Sequence, residues 1–304
     1  MRLLKNCVVP FFFIVPLFGE FFFFDLPPVL AQQPVADENE KKRAFNEGNN
    51  FIKLGRHGEA LAAYEKALKI DSTWAKAHYG KGLALKGLRR YPEALRAYQN
   101  AIRFDAGFGE AYFALSRLYS DLEQYDNAIG VLQKAVARQS HTGVADFPAG
   151  VTEKIFYALG LAYDKKNQHQ EAANAFRRAA ELNAKNFWAF YMLGNTLNKL
   201  GEYDEALAAV ENAVALKENL HLALALQAEI YNGKNQPEQA LKAAQAALQA
   251  RADYAPANFE AGRALKILGR YNEAETYFLQ AGKNPAWKKN AAYELEDIKR
   301  LRQN

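Results

Sequence analysis

Small and large apolar residues recur along this chain at one fixed spacing. Ala60, Ala94, Ala128, Ala172, Ala206, Ala240 and Ala274 stand 34 residues apart, except for a single step of 44 between Ala128 and Ala172. Seven residues further on, Ala67, Ala101, Ala135, Ala179, Ala213, Ala247 and Ala281 repeat the series. Twelve residues before it stand Gly48, Gly82, Ser116, Gly160, Gly194, Ala228 and Gly262, all small. Self-similarity at such a period marks a repeat architecture. Seven units follow, at 41–74, 75–108, 109–142, 153–186, 187–220, 221–254 and 255–288, with a ten-residue insertion at 143–152. Each unit reads as helix, turn, helix. In the fifth, Leu193, Leu197 and Leu200 keep helical spacing and Gly201 ends the run. Asp204 is placed to cap a second helix carrying Ala206, Val210 and Ala213. In the second, Pro92 falls in the first turn, where its missing N–H costs nothing.

Positions are counted from the first residue of each unit. Small residues at 8 and 20 let the two helices approach closely. Larger ones fill between them, at position 11 (Phe51, Leu85, Tyr119, Tyr163, Leu197, Tyr231, Leu265) and position 24 (Tyr64, Tyr98, Leu132, Phe176, Val210, Phe278). With small residues also at 27 and Tyr91, Tyr125, Tyr203 and Tyr271 at 17, the pattern resembles the tetratricopeptide-repeat family over 41–288. The family's proline at position 32 is missing throughout. The sixth unit departs further, with Ala228, Pro237 and Ala244 at 8, 17 and 24, and is expected to pack least tightly. The resemblance implies an all-α, right-handed α-solenoid whose first helices line a concave groove. Residues 289–304 hold a C-terminal capping helix and tail. Its stripe of Trp287, Ala291, Leu295, Ile298 and Leu301 would cover the open end of the stack.

The N-terminus has a different character. Arg2 and Lys5 precede the uncharged run from Val8 to Phe18, and Val29-Leu30-Ala31 fits a small-residue cleavage site. Residues 1–31 therefore read as a signal peptide, and 32–40 as a disordered stub. Retention as a membrane anchor is the alternative. Against it, a span needs roughly twenty apolar residues, and Pro10, Pro16, Gly19, Glu20 and Asp25 interrupt the stretch. Cleavage would leave the net charge at +5 and remove Cys7, the one cysteine. A thiol-free chain suits a periplasmic or secreted location.

Candidate chemistry is sparse. A single cysteine excludes a disulfide framework and a thiolate zinc site. Catalytic signatures such as G-x-S-x-G, H-E-x-x-H and the phosphate-binding loop are missing, and the repeats leave no room for a catalytic domain. No enzyme activity, cofactor or metal is expected. His57 and His169 stand in the position-17 column as packing residues, and no two of the five histidines share ligand spacing. The excess of 39 basic over 34 acidic residues is too thin to argue for a nucleic-acid partner.

What remains is surface. Helical geometry puts positions 4, 7, 8 and 11 of the first helix on the buried side and 2, 5, 9, 12 and 13 on the groove side. The groove set includes Asn49, Lys53, Lys76, Tyr79, Lys86, Arg117, Tyr157, Trp188, Tyr191, Asn195, Asn198, Lys199, Phe259, Arg263 and Lys266. Position 5 is aromatic in six of the seven units, and basic groove positions number ten against four acidic. Such a face suits a protein or peptide partner with acidic groups or a free C-terminal carboxylate. The fifth unit concentrates Trp188, Tyr191, Asn195, Asn198 and Lys199 and is expected to be the best contact site. In the family's chaperone-binding domains, Lys at 5 and Asn at 9 hold a carboxylate. Here Asn49 and Asn195 match, but Phe45 and Tyr191 replace the lysine. The chain thus reads as an exported protein-interaction scaffold. The alternatives are a membrane-anchored assembly factor and a solenoid binding an acidic polymer. The insertion, with Gly143, Pro148 and Gly150, predicts a loop whose one large apolar residue is Phe147, either a contact loop projecting at the inter-repeat edge or a tolerated spacer.

Overall fold

The computed structural model describes residues 33–142 and 147–303. Among these, fifteen helices form and no strand. They are α1 (Gln33–Lys53), α2 (His57–Ile70), α3 (Ala75–Gly87), α4 (Tyr91–Phe104), α5 (Gly109–Asp121), α6 (Tyr125–Thr142), α7 (Ala149–Lys165) and α8 (His169–Leu182). There follow α9 (Phe187–Leu200), α10 (Tyr203–Leu216), α11 (His221–Gly233), α12 (Pro237–Ala250), α13 (Ala255–Ile267), α14 (Tyr271–Gly282) and α15 (Lys288–Gln303). Each odd-numbered helix from α1 to α13 forms a hairpin with the helix after it, and each hairpin packs on the next, giving an α-solenoid.

One turn makes all seven hairpins. Position 15 lies in the left-handed region every time, at φ between +56° and +77°, whether it is Gly55, Gly201 or Gly269, Asn167 or Asn235, or Arg89 or Glu123. The next N–H donates back to the position-11 carbonyl at 2.8–3.0 Å, as from Gln124 to Tyr119 and from Glu202 to Leu197. The position-15 N–H donates to the position-12 carbonyl, as from Arg89 to Lys86 at 3.0 Å. This is the Schellman closure of a helix C-terminus. Gly201 ends its helix as the sequence implies. Asp204, however, caps nothing: Glu202 occupies the N-cap without a side-chain bond, and Asp204 pairs with Lys234 of the next unit. The side-chain cap that does form is Asn186, whose Oδ1 accepts from Trp188 N and Ala189 N at 3.0 and 3.3 Å.

Packing within a hairpin turns on position 8. A Cβ on Gly82 would lie 2.5 Å from the Tyr98 ring, and on Gly262 it would lie 2.7 Å from Phe278, both fully buried rings. Burying such a ring contributes about 1.5–3 kcal/mol, and glycine is what admits it. Packing between hairpins uses columns that the helical-wheel argument left out. Position 3 (Ala77, Ala111, Ala189, Ala223, Ala257) and position 10 (Ala84, Leu118, Thr196, Ile230, Ala264) are entirely buried. A first helix has neighbours on both sides, so its buried face is wider than one hairpin requires.

Several expectations are corrected. Residues 33–40 of the expected stub are helical: Glu38 pairs with Lys41 and Lys42, and Glu40 with Lys66, so charge pairing sustains a turn of helix that apolar periodicity does not announce. The described part of the insertion, 147–152, does not project. Residues 143–146 lie outside the described residues; Ala149–Thr152 form the first turn of α7, and Phe147 is 1% exposed, packed on Tyr112 with ring centres 5.9 Å apart. The sixth unit is not loose either, because Ala228 and Ala244 are both fully buried: the larger residue at 8 is matched by the smaller one at 24. Around the third unit a cleft of about 340 Å³ opens among Ile102, Tyr112, Leu115 and Val131 beside Gly130.

The last helix behaves as the first helix of an eighth unit. Ala291 and Ile298 occupy its positions 3 and 10, both buried, and Trp287 covers Phe259 at 4.9 Å. Lys266 holds it through Glu294 and Asp297 at 2.6 and 2.5 Å. Burial works against the Lys266 ammonium, but hydrogen bonds to Asp297 and Glu294 outweigh it and raise its pKa. The leader at 1–31 lies outside the described residues. Among those described, no helix is long and apolar enough to cross a membrane.

Candidate functional site

First helices lie on the inner side of the curve. α5 touches α7 and α11 touches α13 directly, whereas second helices do not approach one another as closely. Positions 2, 5, 9, 12 and 13 therefore line the concave face, but their side chains have three different fates.

Most aromatics at position 5 serve the core as well as the face. Tyr79 packs on Tyr98 and Phe108 with ring centres 5.8 and 5.1 Å away, and Tyr157 on Phe176 at 5.6 Å. Burial raises the pKa of both hydroxyls. Phe259 is only 9% exposed, wedged between Phe278 and Trp287. It belongs to the core, because the capping helix covers the end of the groove that position 5 would otherwise line. Asn49 is half-buried and accepts a hydrogen bond from the Tyr64 hydroxyl at 2.8 Å.

Many of the expected cations are already neutralised. Lys86 pairs with Asp121 at 2.7 Å, Lys199 with Asp164 at 2.7 Å, and Arg263 with Glu260 at 3.0 Å. The Asn198 amide donates to Glu229 at 2.9 Å. These contacts join one first helix to the next, except Arg263–Glu260, which lies within α13. The sequence shows their trace: an acid and a lysine about one repeat apart, at positions 12 and 13 of successive units. Counting charges along the groove misses that they pair.

A third group remains available. Lys53, Lys76, Lys154 and Lys165 are exposed and have no ionic partner among the described residues. Arg117 is exposed too, with only the Phe113 ring nearby at 5.8 Å. Trp188 is 39% exposed, set edge-on to Tyr191 at 5.8 Å, and Asn195 beside them has no hydrogen-bond partner among the described residues. Burial pushes the Tyr191 hydroxyl up to about 12. The fifth unit thus presents Trp188, the edge of Tyr191 and Asn195, while its Asn198 and Lys199 are engaged by neighbouring helices. Among the described residues no cluster of His, Cys, Asp or Glu could hold a metal ion.

Tetratricopeptide-repeat family profiles match residues 48–88 and residues 79–141 and 226–286, together more than half of the chain. A profile for the anaphase-promoting complex, cyclosome, subunit 3 matches 121–213. No curated protein matches. Among solved structures, YrrB, described as a TPR protein with an unusual peptide-binding site, is 25% identical with a TM-score of 0.56, covering 64% of this chain and 95% of its own. Pseudomonas aeruginosa pilF is 16% identical with a TM-score of 0.59, covering 73% and 96%. A tetratricopeptide repeat protein of Parabacteroides merdae is 14% identical with a TM-score of 0.55, covering 86% and 99%. The last two show the fold alone.

Proposed function

The chain is a tetratricopeptide-repeat protein, and on that premise we propose that it is a non-enzymatic scaffold holding an extended, acidic segment of a partner protein on its concave face. The observation that carries this is the charge left over after internal pairing. Asp121 and Asp164 are consumed by lysines, while Lys53, Lys76, Arg117, Lys154 and Lys165 keep no carboxylate. Unpaired cations, with Arg117 beside the Phe113 ring, favour carboxylate ligands, and exposed Trp188 supplies apolar contact area at low rotamer cost. The peptide-binding site named for YrrB fits the same reading. Residues 1–31 act, in this proposal, as a leader that exports the scaffold to a periplasmic or extracellular space. A mature chain starting at Gln32 would support export, and one starting at Met1 an anchor.

Fluorescence anisotropy tests the groove. A labelled peptide alternating Asp and Leu should bind more tightly than one alternating Lys and Leu, and Trp188→Ala should weaken it by about tenfold or more. Equal affinity for both peptides would sink the proposal. Tight binding of any polyanion, with steep salt dependence and no need for leucine, would instead favour an acidic polymer.

A further inference from the structure

Neighbouring first helices are tied across the concave face through the residue at position 12. Lys86 reaches Asp121 at 2.7 Å, joining the second unit to the third. Asp164 and Lys199 join the fourth to the fifth at 2.7 Å, and Asn198 reaches Glu229 of the sixth at 2.9 Å. The Asn232 amide donates to the Glu260 carboxylate of the seventh at 2.8 Å, and Lys266 holds Glu294 and Asp297 of the capping helix. The junction between the first and second units has apolar Ile52 at position 12 and no such tie; among junctions with a polar residue there, the exception is the one between the third and fourth units. Its position 12 is Ser120, too short to span the gap. Neither the Ser120 hydroxyl nor the Lys165 ammonium, which lines the same cleft from α7, has a partner among the described residues.

Where the bridge is missing, a cleft of about 240 Å³ opens onto the concave face. Its apolar side is Ala158 and Leu161, the latter 37% exposed. Its polar rim is made of donors: the Arg117 guanidinium, the Lys165 ammonium and the Ser120 and Tyr125 hydroxyls. The one acid at the rim, Asp121, is already held by Lys86. An apolar surface beside two unpaired cations is complementary to an apolar side chain next to a carboxylate. Resting on the groove reading above, we propose that this cleft is the anchor site for the partner segment. It would seat a leucine-sized side chain on Leu161 and Ala158 while the adjacent carboxylate is held by Arg117 and Lys165. That carboxylate can belong to an Asp or Glu side chain or to a chain terminus.

Labelled ten-residue peptides in a Gly/Ser background distinguish these sources. One carries an internal Asp-Leu pair and an amidated end, another ends in Leu with a free carboxylate, and two controls replace Leu by Ser in each. Full-length variants provide the other arm. Ser120→Glu supplies the missing bridge to Lys165 and closes the cleft, Arg117→Gln and Lys165→Gln remove the cations, and Trp188→Ala alters the groove elsewhere. At least one acidic leucine peptide should bind the parent. Its affinity should fall about tenfold in Ser120→Glu and in the double Arg117→Gln, Lys165→Gln variant, and as much on Leu→Ser in the peptide. Circular-dichroism melting should be unchanged, since these side chains are exposed or half-buried. If Trp188→Ala weakens binding while the cleft variants stay within about twofold, the groove stands and the anchor is wrong. If no acidic peptide binds the parent, both are wrong.

Discussion

Replacing Arg89 and Glu123 by glycine should stabilise the array. Both residues sit at position 15 with φ of 59°, in the turn that three other units build with glycine. A side chain in that conformation costs about 1–2 kcal/mol. Glycine returns about 0.5–1 kcal/mol of that as chain entropy lost on folding. The net gain is therefore about 0.5–1 kcal/mol per site. Neither side chain forms an ion pair or hydrogen bond among the described residues and both are exposed, so nothing else is lost. The sites belong to different hairpins without shared partners, so the double variant should gain about 1–2 kcal/mol. For a chain of this size that is a rise of several degrees in Tm. Repeat arrays need not unfold in one step. Amide exchange in α3–α4 and α5–α6 should therefore accompany the melt, and protection should rise there first. Gly201→Ala should move the opposite way, and Asn235→Gly should gain less, because asparagine tolerates this region. A lower Tm for Arg89→Gly, or a higher one for Gly201→Ala, would refute the reasoning.

Gly82→Ala should destabilise by about 1–3 kcal/mol through overpacking against Tyr98, while Gly130→Ala, whose Cβ meets open space, should stabilise by up to about 1 kcal/mol; urea unfolding compares them. Phe147→Ala should cost about 3–5 kcal/mol if the insertion is part of the core, whereas a contact loop would lose it without change in melting. Glu260 provides a pH test. Burial, above the opposing effects of Arg263 and Asn232, raises its pKa from 4.5, so the folded state holds the proton more tightly than the unfolded chain. Its penalty is missing below pH 4.5 and grows as pH rises through the shifted value. Glu260→Gln should therefore melt higher than the parent at neutral pH and converge with it in acid; parallel profiles would contradict that.

The hairpins were legible in the sequence because each column of the repeat answers to one contact. A glycine at 8 implies a ring from 24, as Gly82 and Tyr98 show. Stacking between units was less legible. Alanine at positions 3 and 10 reads as mere helix propensity until the neighbouring hairpin is in place to bury Ala77 and Ala84. The groove was legible as a set of positions but not as a set of free side chains. Whether a lysine is available depends on a carboxylate about 35 residues away, which leaves Lys165 exposed and unpaired but commits Lys199. Phe147 escaped for a related reason: Gly143 and Pro148 signal a turn, and it is Gly109 and Tyr112 on another helix that make it interior.

The half-unit at the C-terminus bears on how copies of the chain behave in a crowded solution. α15 offers the buried columns of a first helix to the unit before it, yet the surface where its own second helix would sit carries Ala292, Glu296 and Lys299, all exposed. At the other end, α1 shows Arg43 and Glu47, paired at 3.3 Å, and Asn50 where a preceding hairpin would dock. Head-to-tail contacts that do not close on themselves grow into filaments. With charged groups at both ends of the described array, docking one copy onto another would strip water from those side chains. The exposed Tyr293, at 72%, is the one large ring left on that last helix. Charge at both ends of the described array therefore disfavours head-to-tail growth of one copy onto the next.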